Sequence, residues 1–349
     1  NLKVGMISTV NAIIGDEILD TGFHVTTPDT LDTQRYLAQM VDAGLSHVIL
    51  ETTSHGWAQY RVDACEFDIG IVTNITHEHL DYHGSYEAYR AAKGRLFESL
   101  RDTVDKGLGA RRIAILNRDD RSFDYLSQNT LVPKLAYAVD TSADIQAVDI
   151  HYLPDGIEFT IVGEELNVKS KINLAGSYNI SNALAAFSAA VYGLGIAPEI
   201  AARGLSALEG IPGRMERIDM GQAFTAIVDF AHTPFALKAA IESARKMTEG
   251  RVIALFGSAG LRDKEKRRLM AEISAELADL TVLTAEDPRT ESLSEILSEM
   301  AEGAIDKGGI ENETFWRVED RGQAILFALQ LANPEDIVLV CGKGHEQSM

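Results

Sequence analysis

Two periods of apolar residues alternate along the chain and predict strands and helices in turn. Short apolar runs between glycine and polar residues predict strands, and apolar residues three and four positions apart predict helices with one buried face. The predicted strands are Lys3–Ser8, a buried strand His47–Glu51, Phe67–Asn74, Arg112–Leu116, the antiparallel segment Tyr152–Val168, Ala226–Phe230, Val252–Phe256, Leu280–Thr284 and Ile337–Cys341. The predicted helices are Leu31–Ala43, one that contains Lys93, Asn179–Leu194, Ile200–Leu208, Pro234–Met247, Lys266–Ala278, Leu293–Ala304 and Gly322–Leu331.

The order of these elements predicts an α/β fold. Strands that alternate with helices form mostly parallel sheets with helices on their faces. The turn-forming run Gly210-Ile211-Pro212-Gly213 separates two such series and marks a predicted domain boundary. We therefore expect a central domain with a mostly parallel sheet over residues 1–211 and a Rossmann-like C-terminal domain over residues 212–349.

Composition and charge narrow the functional classes. Hydrophobic residues make up 46% and charged residues 24% of the 349 residues, which is typical of a globular protein. A net charge of −20 argues against nucleic acid as the main partner, because a phosphate backbone requires a basic surface. Two cysteines are too few for a disulfide framework and indicate a reducing compartment. No apolar run reaches membrane-spanning length.

A loop rich in histidine follows one of the predicted strands. His77, His79, Asp81 and His83 lie within seven residues. One interpretation is a metallohydrolase of the His-x-His-x-Asp-His type, but Tyr82 separates the aspartate from the last histidine and shifts the spacing. A second interpretation is a strand-to-helix loop that contacts a metal or phosphate through one histidine. A solvated polar loop is the third.

The helix after this loop carries a lysine on its apolar side. Lys93 shares one helical stripe with Tyr86, Tyr89, Leu96 and Phe97. Burial disfavours the ammonium form and lowers the pKa of a lysine. A neutral amine is a nucleophile and also takes up carbon dioxide to give a carbamate anion, so this position suggests a phosphate- or metal-handling site.

Polar groups follow other strands, where ligands bind in open α/β sheets. Such residues are Glu51, Asn74, Asn117, Asp229, Gly257, Glu286 and Gly342. Glu51 suits Mg²⁺, a cation that prefers oxygen ligands, and Asp229 suits ribose hydroxyls. The turn Phe256–Lys264 offers backbone amides to an anion. The segments Glu286–Arg289 and Gly342–Glu346 mix acids and bases, which suits a zwitterionic ligand.

Ten segments, in chain order, together resemble the Mur ligase family, most closely the members that form the muramoyl tripeptide. They are Thr26–Asp29, Glu51–Arg61, Thr73–Lys93, Asn117–Asp120, Gly176–Ala183, Pro212–Glu216, Asp229–Pro234, Phe256–Lys266, Asp287–Arg289 and Gly342–Glu346. The resemblance implies an ATPase-like central domain and a cytoplasmic, ATP- and Mg²⁺-dependent ligase. It implies that an acyl phosphate forms first and that a diamino acid, meso-diaminopimelate, is then joined to a UDP-linked muramoyl dipeptide. We expect a monomer whose partners are these small molecules, with no nucleic acid partner and no membrane span.

The resemblance also implies roles for individual residues. The implied catalytic and Mg²⁺-binding residues are Glu51, His79 and Lys93, the last as a carbamate. The implied ATP contacts are Asn179, Asn182, Arg214 and Asp229. The implied contacts to the UDP-linked substrate are Thr26, Thr27, Thr53, Gln59 and Arg61. The implied amino-acid pocket consists of Arg262, Asp287, Arg289, Gly342 and Glu346.

Departures from the family pattern leave alternatives open. The family's phosphate loop and N-terminal UDP-binding domain have no counterpart in the sequence, and we expect both domains to be truncated. Asp287 replaces the asparagine of the family's Asp-Asn-Pro-Arg, so lysine or ornithine remains open as the added amino acid, and Thr53 replaces a serine. The alternatives are a similar ligase for another acid, a catalytically dead binding paralogue, and the metallohydrolase.

Overall fold

A computed structural model describes residues 2–9, 11–19, 26–76, 79–107, 109–153, 155–261 and 264–344. Its strands are β1 Val4–Ile7, β2 Ala12–Ile14, β3 Glu17–Leu19, β4 His47–Leu50, β5 Ile69–Ile71, β6 Ile113–Asn117, β7 Lys134–Ala138, β8 Ile145–Leu153, β9 Gly156–Gly163, β10 Leu166–Ile172, β11 Glu216–Ile218, β12 Thr225–Asp229, β13 Val252–Phe256, β14 Leu280–Leu283, β15 Phe315–Arg317 and β16 Ile337–Cys341. Its helices are α1 Thr30–Asp42, α2 Ser54–Ala58, α3 Leu80–His83, α4 Tyr86–Ser99, α5 Phe123–Asn129, α6 Tyr178–Ser188, α7 Pro198–Ser206, α8 Pro234–Arg245, α9 Glu265–Leu277, α10 Leu293–Asp306 and α11 Arg321–Leu331, and a π-helical turn Ala189–Gly193 continues α6.

The chain divides into two compact units. The first consists of residues 1–147, 161–167 and 184–201, and the second of residues 148–160, 168–183 and 202–349. The domain boundary expected between residues 211 and 212 stays a prediction. None of the helices in the described ranges is both long enough and apolar enough to span a bilayer.

The first unit contains a four-stranded sheet of order β3-β2-β1-β4. Strands β1 and β4 are parallel, whereas β2 pairs antiparallel with both β1 and β3. The sequence analysis predicted a buried strand at β4, and this is wrong, because Val48 is 42% and Ile49 62% exposed. The reason is the position of β4 at the edge of its sheet. The β2–β3 hairpin was not predicted.

A six-stranded sheet has the order β10-β9-β8-β7-β6-β5. Strands β5 to β8 pair in parallel. Only Glu164 and Glu165 separate β9 from β10, and so short a connection requires antiparallel neighbours. The antiparallel segment expected at Tyr152–Val168 is therefore present, whereas the neighbouring α5 and β7 were not predicted.

The second unit contains a six-stranded sheet of order β11-β12-β16-β13-β14-β15, parallel from β12 to β15. Alternate residues of β13 enter different cores. Val252, Ala254 and Phe256 pack with apolar residues of α8, α9 and α10, whereas Ile253 and Leu255 pack with those of α11. Helices thus cover both faces, as is usual for a parallel sheet. The predicted α/β fold class is confirmed.

Side-chain caps fix where the helices near the strand ends begin. The hydroxyls of Thr53, Ser85 and Thr233 accept hydrogen bonds from the first turns of α2, α4 and α8. Pro234, the first residue of α8, adds no unsatisfied N–H group. Because the caps satisfy backbone donors at the helix starts, the preceding loops have defined ends.

A buried carboxylate joins the amino ends of β13 and β16. Asp336 is 3% exposed and accepts the Arg251 N–H at 2.8 Å and the Asn333 N–H at 2.8 Å. The Arg251 guanidinium also donates to Asp336 Oδ2, through Nε at 3.0 Å and Nη2 at 2.6 Å. Burial alone would raise the pKa of Asp336, but the bonds from Arg251 and Asn333 outweigh it and hold the pKa below its usual 3.8.

We expect Asp336→Asn to lower the free energy of unfolding by about 2–4 kcal/mol near neutral pH, because it leaves buried donors without a charged acceptor. The folded-state pKa lies below the unfolded value, so the stabilisation is complete above the unfolded pKa and is lost as pH falls through the folded pKa. The difference between wild type and variant should therefore shrink below about pH 4. Urea denaturation across this range measures it.

The matched control is Asp306→Asn, because Asp306 is exposed and pairs with Arg268 at 3.0 Å. It should cost at most about 1 kcal/mol. A wild-type-to-Asp336→Asn difference that stays constant into acid would contradict this account.

Candidate active site

Glu51 lies directly after β4 and is held by threonine. Its N–H donates to the Ile7 carbonyl at 2.9 Å. Its Oε2 accepts the Thr9 N–H at 3.0 Å and lies 3.1 Å from the Thr9 hydroxyl. That hydroxyl is also 2.8 Å from Thr26 Oγ1. The carboxylate is exposed and oriented by the residues that follow β1.

Thr27 connects the segment before α1 to the start of α2. Its fully buried side chain accepts the Thr53 N–H at 2.8 Å and lies 3.2 Å from the Glu51 carbonyl oxygen. The Thr53 hydroxyl in turn accepts the Gly56 N–H at 3.0 Å. A Cβ atom on Gly56 would lie 3.0 Å from Thr27 Cγ2, so a larger residue there would push against the Thr27 side chain.

Arg61 completes this cluster. Its guanidinium donates to the Thr27 carbonyl at 2.8 Å and to Gln59 Oε1 at 2.5 Å. Gln59 donates in turn to the Tyr82 hydroxyl at 3.1 Å. The structure thus brings together all the residues implied to contact the UDP-linked substrate, namely Thr26, Thr27, Thr53, Gln59 and Arg61, beside Glu51. Their binding role stays a prediction.

The histidine-rich loop packs around His55. The ring of His55 lies 4.9 Å from that of His79 and 5.4 Å from that of His83, between centroids. His83 Nε2 is 3.0 Å from Ser54 Oγ. His79 is exposed and adopts a left-handed backbone with φ 56°. His77 and the side chain of Asp81 lie outside the described residues.

Lys93 is half-buried rather than buried. Tyr89 and Phe97, each 2% exposed, are the buried residues of the apolar stripe of α4. Lys93 Nζ lies 5.3 Å from the centroid of the Tyr89 ring. The His79 ring lies 5.9 Å from the same ring, so Tyr89 contacts two of the three residues implied to act in catalysis.

Asp229 is the centre of a second cluster, at the end of β12. Its buried carboxylate accepts the Met215 N–H at 2.7 Å and the Ala231 N–H at 2.8 Å. Burial raises the pKa of Asp229, against the lowering effect of these bonds, of Arg214 and of the Tyr178 hydroxyl. Burial and the nearby Asp229 carboxylate raise the pKa of Tyr178 as well.

The other residues implied to contact ATP lie around this carboxylate. The Arg214 guanidinium stacks 4.4 Å from the centroid of the Phe230 ring and donates to the Gly213 carbonyl at 3.1 Å. Asn179, next to Tyr178, accepts from Asn182 Nδ2 at 3.1 Å. The structure brings Arg214 and Asp229 together with Tyr178, and Asn179 follows Tyr178 along α6. The contact of Asn179, Asn182, Arg214 and Asp229 with ATP stays a prediction.

The residues implied to form the amino-acid pocket are described in part, because Arg262 and Glu346 lie outside the described residues. Asp287 Oδ2 is 3.6 Å from Arg289 Nε, and both side chains are partly exposed. Gly342 has φ 94° and donates its N–H to the Asp229 carbonyl at 3.2 Å. The ends of β12 and β16 are therefore joined directly.

Sequence reasoning missed several residues of these clusters. Thr9 and Tyr82 hold Glu51 and Gln59, and Tyr178 faces Asp229. The position of Thr9 soon after a predicted strand was an available signal. Tyr178 offered none, because it resembles an ordinary aromatic residue at the start of a helix.

Comparison with known proteins identifies the family. Residues 1–190 match the Mur ligase middle domain, and residues 213–344 match the domain described as Mur ligase, glutamate ligase domain. This chain belongs to the Mur ligase family. The family predicted from the sequence is confirmed.

Individual Mur ligases resemble the chain over nearly its whole length. It is 40% identical to the UDP-N-acetylmuramyl-tripeptide synthetase of Roseiflexus sp. (strain RS-1), over 99% of the chain and 69% of that relative. It is 38% identical to the UDP-N-acetylmuramoyl-L-alanyl-D-glutamate–2,6-diaminopimelate ligase of Geobacillus thermodenitrificans, over 99% of the chain and 68% of that relative. A solved structure of a ligase with the latter name matches with a TM-score of 0.68 and 30% identity, covering 99% of this chain and 68% of that one.

We expect Thr27→Val to lower the free energy of unfolding of the first unit by about 2–3 kcal/mol, because the isosteric side chain leaves the buried Thr53 N–H without its acceptor. Urea denaturation followed by Trp57 fluorescence, in a Trp316→Phe background, measures it. The control is Thr33→Val, since Thr33 is equally buried but has one long bond, 3.3 Å to the Pro28 carbonyl. Equal losses in the two variants would contradict the role assigned to Thr27.

Proposed function

We propose that the chain catalyses ATP-dependent amide-bond formation in peptidoglycan precursor synthesis, adding meso-diaminopimelate to UDP-N-acetylmuramoyl-L-alanyl-D-glutamate. The observation that carries this proposal is the hydrogen-bonded cluster of Thr26, Thr27 and Arg61 beside an oriented, exposed Glu51. Similarity to ligases named for this reaction, over nearly the whole chain, supports it. The reaction would take place in the cytoplasm, with a monomer that binds only small molecules.

The chemistry proceeds in two displacements. The substrate carboxylate attacks the γ-phosphorus of ATP, and the bond from that phosphorus to the bridging oxygen breaks. ADP is the leaving group, and the product is an acyl phosphate. The amine of the diamino acid then attacks the acyl carbon, passes through a tetrahedral intermediate, loses a proton and expels phosphate. Because little protein-based covalent chemistry is needed, the enzyme acts mainly by positioning and by neutralising phosphate charge.

The residues near Glu51 fit Mg²⁺. Thr9 engages one carboxylate oxygen of Glu51, and the exposed side chain presents further oxygen lone pairs to a hard cation. Among the described residues, no group of three or more histidine, cysteine or acidic side chains could hold a metal. We propose that Glu51 and His79 hold one Mg²⁺ with the phosphates of ATP, and that a carbamate on Lys93 holds a second. The cations would supply neutralisation of phosphate charge.

The carbamate on Lys93 follows from the same proposal. The ammonium first loses one proton. The neutral Nζ then attacks carbon dioxide, forms an N–C bond and releases a second proton, so that a cation becomes an anionic oxygen ligand. The half-buried position beside Tyr89 partly desolvates the amine. Asn179, Asn182, Arg214 and Asp229 would then bind the nucleotide.

We propose that Asp287, Arg289 and Gly342, with Arg262 and Glu346, bind the diamino acid. Asp287 Oδ2 forms an ion pair with Arg289 Nε at 3.6 Å. Arg289 would contact a substrate carboxylate, and the acids would contact an ammonium group. This mixed charge matches an amino acid that carries both groups at its far end.

The test is amine-dependent phosphate release by the full-length gene product, with ATP and the UDP-linked dipeptide held constant. We expect release with meso-diaminopimelate to exceed release with lysine or ornithine by at least about a hundredfold, since a pocket with paired polar groups discriminates strongly against a ligand that leaves them unpaired.

Phosphate release that does not depend on any of these amines, or no release at all, would contradict the proposal. Nucleotide binding without any turnover would indicate a binding paralogue. Turnover with a different acid acceptor would indicate a ligase with another substrate.

We expect Lys93→Met to lower kcat by about a hundredfold or more, because the site loses an anionic ligand for the Mg²⁺ that would neutralise phosphate charge. With ¹³C-labelled bicarbonate, wild type should show a carbamate resonance that the variant lacks. Lys106→Met is the control, since Lys106 pairs with Asp68 at 2.7 Å and is not among the residues assigned to the site. The carbamate assignment would be wrong if the resonance persisted in Lys93→Met.

A further inference from the structure

A fully buried arginine lies beneath the loops that follow β13 and β14. Arg267, in the first turn of α9, has no exposed side-chain area and is the largest fully buried side chain among the described residues. Its Nη1 donates to Glu299 Oε2 and its Nη2 to Glu291 Oε2, each at 2.8 Å. A buried guanidinium is costly unless acceptors compensate it, so this arrangement strongly constrains the surrounding chain.

The two glutamates differ in what else they hold. Glu299 lies within α10 and pairs otherwise with Lys264 at 3.4 Å. Glu291 precedes α10 and accepts the Leu261 N–H at 2.5 Å through its second carboxylate oxygen. That backbone bond, followed by the Arg267 guanidinium, holds the pKa of Glu291 below its usual range. Glu291 thus joins the buried arginine to the β13 loop.

The same two loops also touch directly. The Gly260 N–H donates to the Asp287 carbonyl at 2.8 Å. A Cβ atom on Gly260 would lie 2.0 Å from the Pro288 carbonyl oxygen, so any other residue would force the loops apart. Leu261 adopts φ 54° and Arg289 φ 52°, both in the left-handed region. Such backbones persist only where the surroundings hold them.

These contacts converge on the proposed amino-acid pocket. Leu261 directly precedes Arg262, and Glu291 lies two residues after Arg289. The Glu291 carboxylate therefore joins the segment that ends at Leu261 to the segment that carries Arg289, in addition to the Gly260–Asp287 bond. Arg267 has no exposed side-chain area, and both oxygens of the partly exposed Glu291 carboxylate already accept hydrogen bonds.

We propose that Arg267 and Glu291 are positioning residues for the amino-acid site, and that they fix the β13 and β14 loops in the arrangement that selects the diamino acid. This inference rests on the proposed function and deepens it. Without the ion pair of Arg267 and Glu291, the side chains of Asp287 and Arg289 keep their charges but are no longer held in position. The affinity for the amine substrate therefore changes, while ATP binding does not.

The experiment compares Glu291→Gln with a matched variant at the opposite end of the strands of the same sheet. Asp279 accepts from Arg245 Nη2 at 2.6 Å and from the Val252 N–H at 2.8 Å, at the amino ends of β13 and β14. It therefore has the same set of donors as Glu291, one arginine and one backbone N–H. Asp279→Asn removes an arginine ion pair that is more exposed than that of Glu291 and lies far along the strands from the pocket.

We expect Glu291→Gln in the full-length gene product to raise the KM for diaminopimelate at least about tenfold, because small displacements of positioned groups are costly. The KM for ATP should stay within about twofold, and Asp279→Asn should leave both constants within about twofold. Glu291→Asp, which keeps the charge and shortens the side chain, should show the same KM split if Glu291→Gln fails to fold.

Hydrogen exchange separates failure of this inference from failure of the proposed function. In Glu291→Gln, the amides of residues 257–261 should exchange at least about tenfold faster, with no such change in Asp279→Asn. Unchanged exchange, or equal rises in both KM values, would overturn the positioning role. If wild type shows no amine-dependent turnover while the exchange result holds, the pair still positions the loops and the proposed reaction is the part that fails.

Discussion

Parallel strands that are neighbours in a sheet have their carboxyl ends side by side. The backbone N–H and C=O groups that follow these ends no longer pair within the sheet and need other hydrogen-bond partners. Both clusters of the chain depend on this constraint. After β4, the Glu51 carbonyl and the Thr53 N–H are satisfied by Thr27. After β12, two backbone N–H groups are satisfied by Asp229. The side chains that complete the backbone are therefore the ones that define the candidate site, and structure and chemistry share the same residues.

The amino ends and the carboxyl ends of the strands in the second unit's sheet are held by different contacts. At the amino ends, Asp336 and Arg251 join neighbouring strands through a dense, buried set of bonds. At the carboxyl ends, the loops touch at Gly260, and Arg267 reaches the β13 loop both through Glu291 and through its own bond to the Ala259 carbonyl at 3.4 Å. The first arrangement serves stability, because it contacts no proposed ligand residue. The second leaves exposed side chains in the loops while fixing the backbone beneath them.

The sequence predicted the elements whose burial is uniform and missed those that depend on distant partners. Strands β13 and β16 were predicted at their observed bounds, since continuous apolar runs mark strands buried on both faces. The β2–β3 hairpin was missed because each strand has three residues, too few to show a period. The residues of both clusters were found through the family resemblance, whereas their partners Thr9 and Tyr178 were not. Arg267 lies in a charged run that is typical of a solvated helix, so nothing in the sequence indicates its burial.

The half-buried position of Lys93 has a consequence for how a carbamate there would behave. A carbamate forms and decays by exchange with dissolved carbon dioxide, so the amine has to meet both an apolar neighbour and a diffusing gas molecule. Full burial would shut out the reagent, and full exposure would keep the amine protonated. Lys93 is half-buried beside the Tyr89 ring, so it has an apolar neighbour and stays open to solvent. The proposed ligand would then be a reversible one, whose occupancy follows the bicarbonate concentration around the enzyme.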